Sequence, residues 1–333
     1  MVQLLLTQSE YLEFSNFKWN LFFKDIAVKR LKEKHLLPLK TDDNRLNFLS
    51  KIAGWLIGDG NLTRTTLSFC AEDEESLFKL KNEFQRSFYG ISIKGPIKKV
   101  NNKGISLTLY VYDFSLAIFL NVLGVSTGNK TKKVFSIPTF IYSNSSTKKE
   151  FLNGLLGSEL NTPCLDNSRR CSVISLWFGM SKNPIYEYYH LNFLNCLRKL
   201  LLEFGIETSM AKKIDTKRKN EYPRYGFYVK KNAINVLKLY KNISMYCFVN
   251  KYITFRNTIN SILENYRKML IIKNKYDKVK VLQNKGLSTR RVSCLTNIPK
   301  STVHKWFKHK PNYLVKLENL QEFLNSDFYD QRK

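Results

Sequence analysis

The 333-residue sequence is short of the side chains that mark many metalloenzymes and secreted proteins. Its four histidines are scattered, and its six cysteines, at 70, 164, 171, 196, 247 and 294, contain no C-x-x-C pair. A structural zinc site is therefore not expected, and the thiols read as free small hydrophobes, with Cys164 and Cys171 flanking a loop. No apolar run approaches the length of a membrane-spanning helix. The opening MVQLLLTQSEYLEF lacks the charged start, long apolar stretch and cleavage site of a signal peptide. The expectation is an intracellular protein, in cytoplasm, nucleoid or organelle matrix, with no membrane partner. Acids are also scarce: 27 stand against 55 Lys and Arg, a net charge of +28. An excess of that size predicts a polyanionic partner held through phosphate contacts.

What is present is enough apolar residue, 43% with 14% aromatic, to fill cores in about two domains. One stretch organises the rest. Residues 48–61, FLSKIAGWLIGDGN, form an apolar run relieved by Ala53, Gly54 and Gly58 and ended by Asp59. The pattern returns at 151–162 as FLNGLLGSELNT, with Gly154, Gly157 and Ser158 as its small residues and Glu159 as its acid. Both acids lie five residues after the first small residue of their pair, Gly54 or Gly154. Small residues at this spacing let two helix backbones approach closely, so Gly54 and Gly58 are expected to face Gly154 and Ser158. Parallel packing then brings Asp59 and Glu159 out at one end. Two adjacent carboxylates repel, and a hard divalent cation such as Mg²⁺ relieves the repulsion.

IAGWLIGDGNL and LNGLLGSELNT resemble the two signature motifs of single-chain LAGLIDADG homing endonucleases, with Leu160 where the family has a Gly after the second acid. The resemblance spans about residues 45–265. It implies an α+β fold of two pseudo-symmetric αββαββα halves, 45–147 and 148–265, whose strands form a saddle on double-stranded DNA. It also implies staggered hydrolysis of both strands at a long target site by a monomer. Asp59 and Glu159 would be the metal-binding catalytic acids, with the carbonyls of Gly58 and Ser158 as further ligands. Two or three Mg²⁺ ions are implied, with Mn²⁺ substituting. A basic residue at the periphery of each centre falls on Lys130 in LGVSTGNKTKK, with Lys132 and Lys133 as competitors, and on Lys251 in YKNISMYCFVNKYITF. The alternative keeps the fold without the chemistry, as an intron RNA maturase or a DNA-binding transcription regulator. Retention of both acids favours the enzyme. An intein is not expected, because the chain has neither a splice-junction Cys or Ser start nor a terminal His-Asn.

Within the first half, residues 105–112 alternate apolar and polar, as a strand with one buried face does. In the second, alternation over 173–180 places Ile174, Leu176, Phe178 and Met180 on one face. The segment 212–231 then gathers eight basic residues among Tyr222, Tyr225 and Tyr228. A two-stranded basic ribbon fits the major groove. Lys212, Lys213, Lys217, Arg218, Tyr228 and Lys230 are candidate DNA contacts, and Arg224 is the candidate reader of guanine. Residues 1–44 form an extension with a basic patch at 29–34, read as a solvated helix face. Asp42 or Asp43 is expected to cap the first motif helix, and Ser145, Ser146 or Thr147 the second.

Beyond 265 the endonuclease resemblance stops. The helix over 259–276 reads as a connector, and 278–306 resembles a helix-turn-helix, with turns at Gly286 and 297–299. Val292, Leu295, Ile298, Val303 and Trp306 are its expected core. Lys300, Ser301, Thr302, His304 and Lys305 are the expected DNA contacts of its last helix. Fourteen Lys and Arg against five acids over 273–333 suit a DNA-binding tail.

Overall fold

The computed structural model describes residues 4–14, 21–101, 104–165, 173–214, 222–311, 314 and 320–324. The expected contacts Lys217 and Arg218, and Cys171, lie outside the described residues. The fold is α+β with antiparallel sheets. The N-terminal extension contributes β1 (Leu4–Leu6), α1 (Gln8–Phe14), α2 (Leu21–Glu33) and β2 (Leu39–Lys40). Its basic patch is not wholly solvated as the sequence suggests. Lys34 is buried and lies 3.0 Å from the Asp113 carboxylate.

The first half runs α3 (Leu46–Ile57), β3 (Asn61–Leu62), β4 (Thr66–Ala71), α4 (Glu74–Ser87), β5 (Ser92–Asn101), β6 (Gly104–Tyr112) and α5 (Phe114–Val122). Its sheet order is β3-β4-β6-β5. The second half runs α6 (Ser145–Glu159), β7 (Leu176–Ser181), α7 (Glu187–Glu203), β8 (Lys212–Ile214), β9 (Arg224–Val229) and α8 (Ala233–Asn242), with sheet order β7-β9-β8. Where β3 borders β4 in the first half, a single bridge from Leu160 to Phe178 borders β7 in the second. The two sheets therefore share one order, with the first strand of the second half reduced to a bridge. Ile174 is exposed and precedes β7, so the alternation expected from 173 begins only at Leu176.

Local chemistry sets the helix starts. Asp73 caps α4 by accepting the Ser76 N–H at 2.8 Å. The α6 cap falls on Asn144, just before the three residues expected for it. Its side chain accepts the Thr147 N–H at 2.9 Å while the Thr147 hydroxyl accepts the Asn144 N–H at 3.2 Å, a reciprocal box. At α3 no side chain caps the helix; the Asp43 carboxylate instead accepts the Arg45 N–H at 2.9 Å.

Every residue of α3 except Asn47 is buried; Ser50 and Lys51 are buried among its apolar residues, the Lys51 ammonium paired with Glu83. Its closest neighbour is α6, and glycine makes the approach possible. A Cβ on Gly54 would strike the Phe151 carbonyl and lie 2.9 Å from the Leu155 nitrogen. A Cβ on Gly154 would strike the Lys51 carbonyl and lie 2.9 Å from the Trp55 nitrogen. The two glycines are thus staggered, each against the other helix's backbone, while Gly58 directly faces the Ser158 hydroxyl. Residue pairs on the two helices match at an offset of 100, from 51 and 151 to 58 and 158. The helices run parallel, and their C-terminal ends emerge together.

Contacts divide the chain into two compact units. One takes in Met1–Pro163, Ser175–Lys230 and Lys238–Phe255; the other takes in Cys164–Ile174, Lys231–Leu237 and Arg256–Lys333. The expected connector is part of one long helix, α9 (Val249–Asn284). Gly286 turns the chain with φ +77°, and α10 (Thr289–Thr296) starts under a Ser288 cap. Asn297, in the left-handed region at φ 53°, leads to α11 (Lys300–Lys308). Val292, Ile298, Val303 and Trp306 are buried, with Tyr276 edge-on to Trp306 at 5.6 Å. Leu295 is not part of this core: it is 58% exposed, although it lies three residues after Val292 and so near the same helix face, one residue before the end of α10. Among the described residues no helix is long and apolar enough to cross a membrane.

Backbone-to-backbone approach at Gly54 leaves no room for even a methyl group. Gly54→Ala is expected to lower unfolding free energy by about 1–3 kcal/mol, the usual cost of overpacking, as read from urea denaturation. An unchanged midpoint would mean that α3 and α6 are not held at this distance.

Candidate active site at the joined helix ends

The C-terminal ends of α3 and α6 carry Asp59 and Glu159. The Glu159 Cγ lies 3.3 Å from where a Cβ on Gly58 would sit, so the second acid packs against the end of the first helix. Asp59 keeps an open face to solvent and Glu159 is half-buried. Protein packed behind both carboxyls disfavours their ionised forms. Burial holds Asp59 above its ordinary range, against the pull of Lys130 and Lys251, with Glu72 adding to the rise. Burial and the Asp59 charge raise Glu159 to about 7, against Lys130, Arg224 and Lys251.

Each helix end is gripped by one lysine. The Lys130 ammonium donates to the carbonyls of Leu56 at 3.0 Å, Gly60 at 2.8 Å, and Gly58 between them. The Lys251 ammonium donates to the carbonyls of Gly157 at 2.7 Å, Ser158 at 3.3 Å and Leu160 at 2.9 Å. These are the free carbonyls that a helix C-terminus leaves, and a cation suits their partial negative charge. Burial lowers both lysine pKa values, offset by Asp59 and Glu159. Lys132 and Lys133, the competitors for Lys130, are exposed, and the Lys133 ammonium turns away to the Thr127 carbonyl at 2.9 Å.

Arg224, expected to read a base, lies with its guanidinium 4.9 Å above the Trp177 ring and within electrostatic reach of both acids. Trp177 and Glu72 escape sequence reasoning here. Glu72 reads as one more acid at a helix start, and only the fold brings it towards Asp59. Of the other expected contacts, Lys212 and Lys213 are exposed on β8, and Tyr228 is 37% exposed on β9. Lys230 is exposed and pairs with Glu207. On α11, Lys300, Ser301, His304 and Lys305 are exposed and Thr302 is half-buried.

Among the described residues, no three His, Cys, Asp or Glu side chains gather as a metal site. The donor set at the helix ends is two carboxylates with adjacent carbonyls. That set fits a hard cation that keeps several waters and completes its shell on a phosphate, as Mg²⁺ does. A carbonyl oxygen has two lone pairs, so the lysine hydrogen bonds leave the Gly58 and Ser158 oxygens one each.

A protonated Glu159 is favoured in the folded state. Its contribution to stability is present below the ordinary carboxylate value and is lost as pH rises through about 7. In EDTA, the melting temperature should fall between pH 5 and 8, and Glu159→Gln should flatten that fall. An equally steep fall in the variant would count against a raised Glu159.

No family model matches the chain. Among curated proteins it is 29% identical over 283 residues to DNA-directed RNA polymerase subunit Rpo1N of Methanocaldococcus jannaschii, covering 79% of this chain and 20% of that protein. It is 33% identical over 193 residues to tRNA-splicing ligase RtcB of Pyrococcus abyssi, covering 54% of this chain and 20% of that one. The chain thus spans about a fifth of the length of these relatives. Among solved structures, I-DmoI in complex with DNA and Ca is similar at 11% identity and a TM-score of 0.41, over 65% of this chain and 100% of that one. The homing endonuclease I-WcaI bound to its DNA recognition sequence is similar at 13% identity and a TM-score of 0.38, over 67% and 96%. The chain is α+β, with two halves of one strand order joined at glycine-notched parallel helices and an acid at the end of each, the arrangement that its resemblance to two-motif LAGLIDADG sequences implies.

Proposed function

We propose that the chain is a monomeric, sequence-specific DNA endonuclease that depends on a divalent metal, with residues 273–333 as an added DNA-binding tail of helix-turn-helix type. The observation that carries this reading is the meeting of Asp59 and Glu159 at one point, each beside a helix end gripped by a lysine. A protein that only binds DNA gains nothing from two converging carboxylates that repel each other and the phosphates. The names of the curated relatives differ among themselves and apply to proteins of which this chain matches a fifth, so neither activity is carried over.

In this reading Asp59 and Glu159, with the Gly58 and Ser158 carbonyls, would hold Mg²⁺, and Mn²⁺ would replace it. When bound, the metal supplies positive charge to the phosphate oxygens and a more acidic water. Lys130 and Lys251 fix the carbonyls beside the acids and place two ammonium groups where charge develops on the phosphorane. Arg224, braced on Trp177, adds a planar donor pair of the kind that grips phosphate. Lys212, Lys213 and Tyr228 offer the strand surface that follows the duplex, and the exposed face of α11 offers Lys300, Ser301, His304 and Lys305.

The test is cleavage of a library of randomised or genomic duplexes, with Mg²⁺ and with EDTA. Metal-dependent double-strand cuts at one site are expected. Asp59→Asn and Glu159→Gln should each abolish cutting while DNA affinity stays within a few-fold, because the charges removed serve the metal. Tight binding without cutting by the wild type would move the weight to a maturase or regulator. Replacing Lys300 and Lys305 together by Ala should reduce the slope of log affinity against log salt by roughly 2, about one for each phosphate no longer neutralised. An unaltered slope would remove α11 from the interface.

A further inference from the structure

The lysines that grip the helix ends are themselves held, and in each case the holder comes from the other half. Lys130 begins a short 3₁₀ turn, Lys130–Lys132, after the first half's last helix. Just past the end of β7, in the second half, Lys182 is 1% exposed, and its ammonium donates to the Lys130 carbonyl at 2.5 Å and to the Lys133 carbonyl. The next residue, Asn183, donates its backbone N–H to the Thr131 carbonyl at 2.9 Å. Three bonds from the end of β7 thus hold the turn at its first residue, its middle and the residue just after it.

The converse contact holds Lys251. Ser76, buried at the start of α4 in the first half, accepts the Val249 N–H at 2.8 Å, two residues before Lys251. The Ser76 hydroxyl is in turn oriented by donating to the Asp73 carboxylate at 2.6 Å.

Lys182 is costly to bury. Among the described residues no carboxylate pairs with it; its ammonium lies 4.1 Å from the Phe135 ring centroid, and nearby His190 is pushed to about 3 by burial and by Lys182, so it adds no second charge. Burial also lowers Lys182 itself to about 8. Taking an ammonium out of water without a carboxylate partner costs considerable free energy, and what this one gains in return is its grip on the two carbonyls of the Lys130 turn.

We propose that Lys182 is a positioning residue, setting the Lys130 ammonium from the opposite half, while Ser76 does the same for Lys251. Each centre then depends on both halves, although each lysine grips only its own half's helix end. The inference rests on the endonuclease reading for its kinetic consequence, but the anchoring itself does not.

The experiment compares wild type, Lys182→Met, Lys130→Met and Lys251→Met on a target duplex with each strand labelled separately, alongside amide hydrogen exchange. Lys130→Met and Lys251→Met identify which strand each centre serves. Lys182→Met should slow the strand that Lys130→Met slows, by roughly 10²-fold, the cost of misplacing a group by about 1 Å. The other strand should stay near the wild-type rate, and DNA affinity should be unchanged. Exchange at Thr131 and Lys132 should speed up while β7 and β9 keep their protection. Equal slowing of both strands, or wild-type exchange at Thr131 and Lys132, would overturn the proposal. A wild type that cuts no DNA would sink the endonuclease reading instead, and the exchange at Thr131 and Lys132 would still decide whether Lys182 anchors the turn.

Discussion

The structure depends on the contact between α3 and α6. Two helices that touch through side chains keep their axes about 8–10 Å apart, which would separate the residues just beyond their ends. Gly54 and Gly154 remove the side chains at the crossing, and each helix lays its backbone against the other. The main chains, not flexible side chains, therefore set the distance between the two halves and between Asp59 and Glu159. This is a rigid way to place two acids.

Rigidity lets the protein keep an unfavourable pair of charges. The carboxylates are held above their ordinary pKa by burial and, for Glu159, by the neighbouring acid, and the lysines below theirs by burial. Each of these groups is shifted towards its neutral form by the protein packed around it. Shifted groups of this kind gather at functional sites, and the proposed metal and phosphate would meet the acids and the lysines respectively. The lysines add to the frame as well, because each satisfies several carbonyls that the helix end leaves open.

Much of the frame could be read in the sequence because it is carried by local pattern. Gly54 and Asp59 repeat as Gly154 and Glu159 at one spacing, and the alternation from Leu176 to Met180 marks a strand with a buried face. Helix caps were less legible: Asn144 and Thr147 share the cap of α6, a reciprocal arrangement that single-residue preference does not reveal. Leu295 was expected inside by its type and by its spacing from Val292, and at the last turn of α10 it lies exposed. Least legible were residues whose role is created by tertiary contact. In a chain with 55 Lys and Arg, nothing local separates Lys182 or Lys34 from a solvated lysine, and nothing in the sequence brings Glu72 or Arg224 to the acids.

The matching offset of the two motif helices suggests that the halves are interchangeable parts, since a helix built like α3 presents to its partner what α6 presents. The contacts from Lys182 and Asn183 to the Lys130 turn, and from Ser76 to the start of α9, are not of that repeated kind. A chimera that joined the first half of this chain to a foreign second half could preserve the helix seam and still leave Lys130 unsupported. Exchanging halves in this scaffold would have to carry the strand-end residues along with the strands.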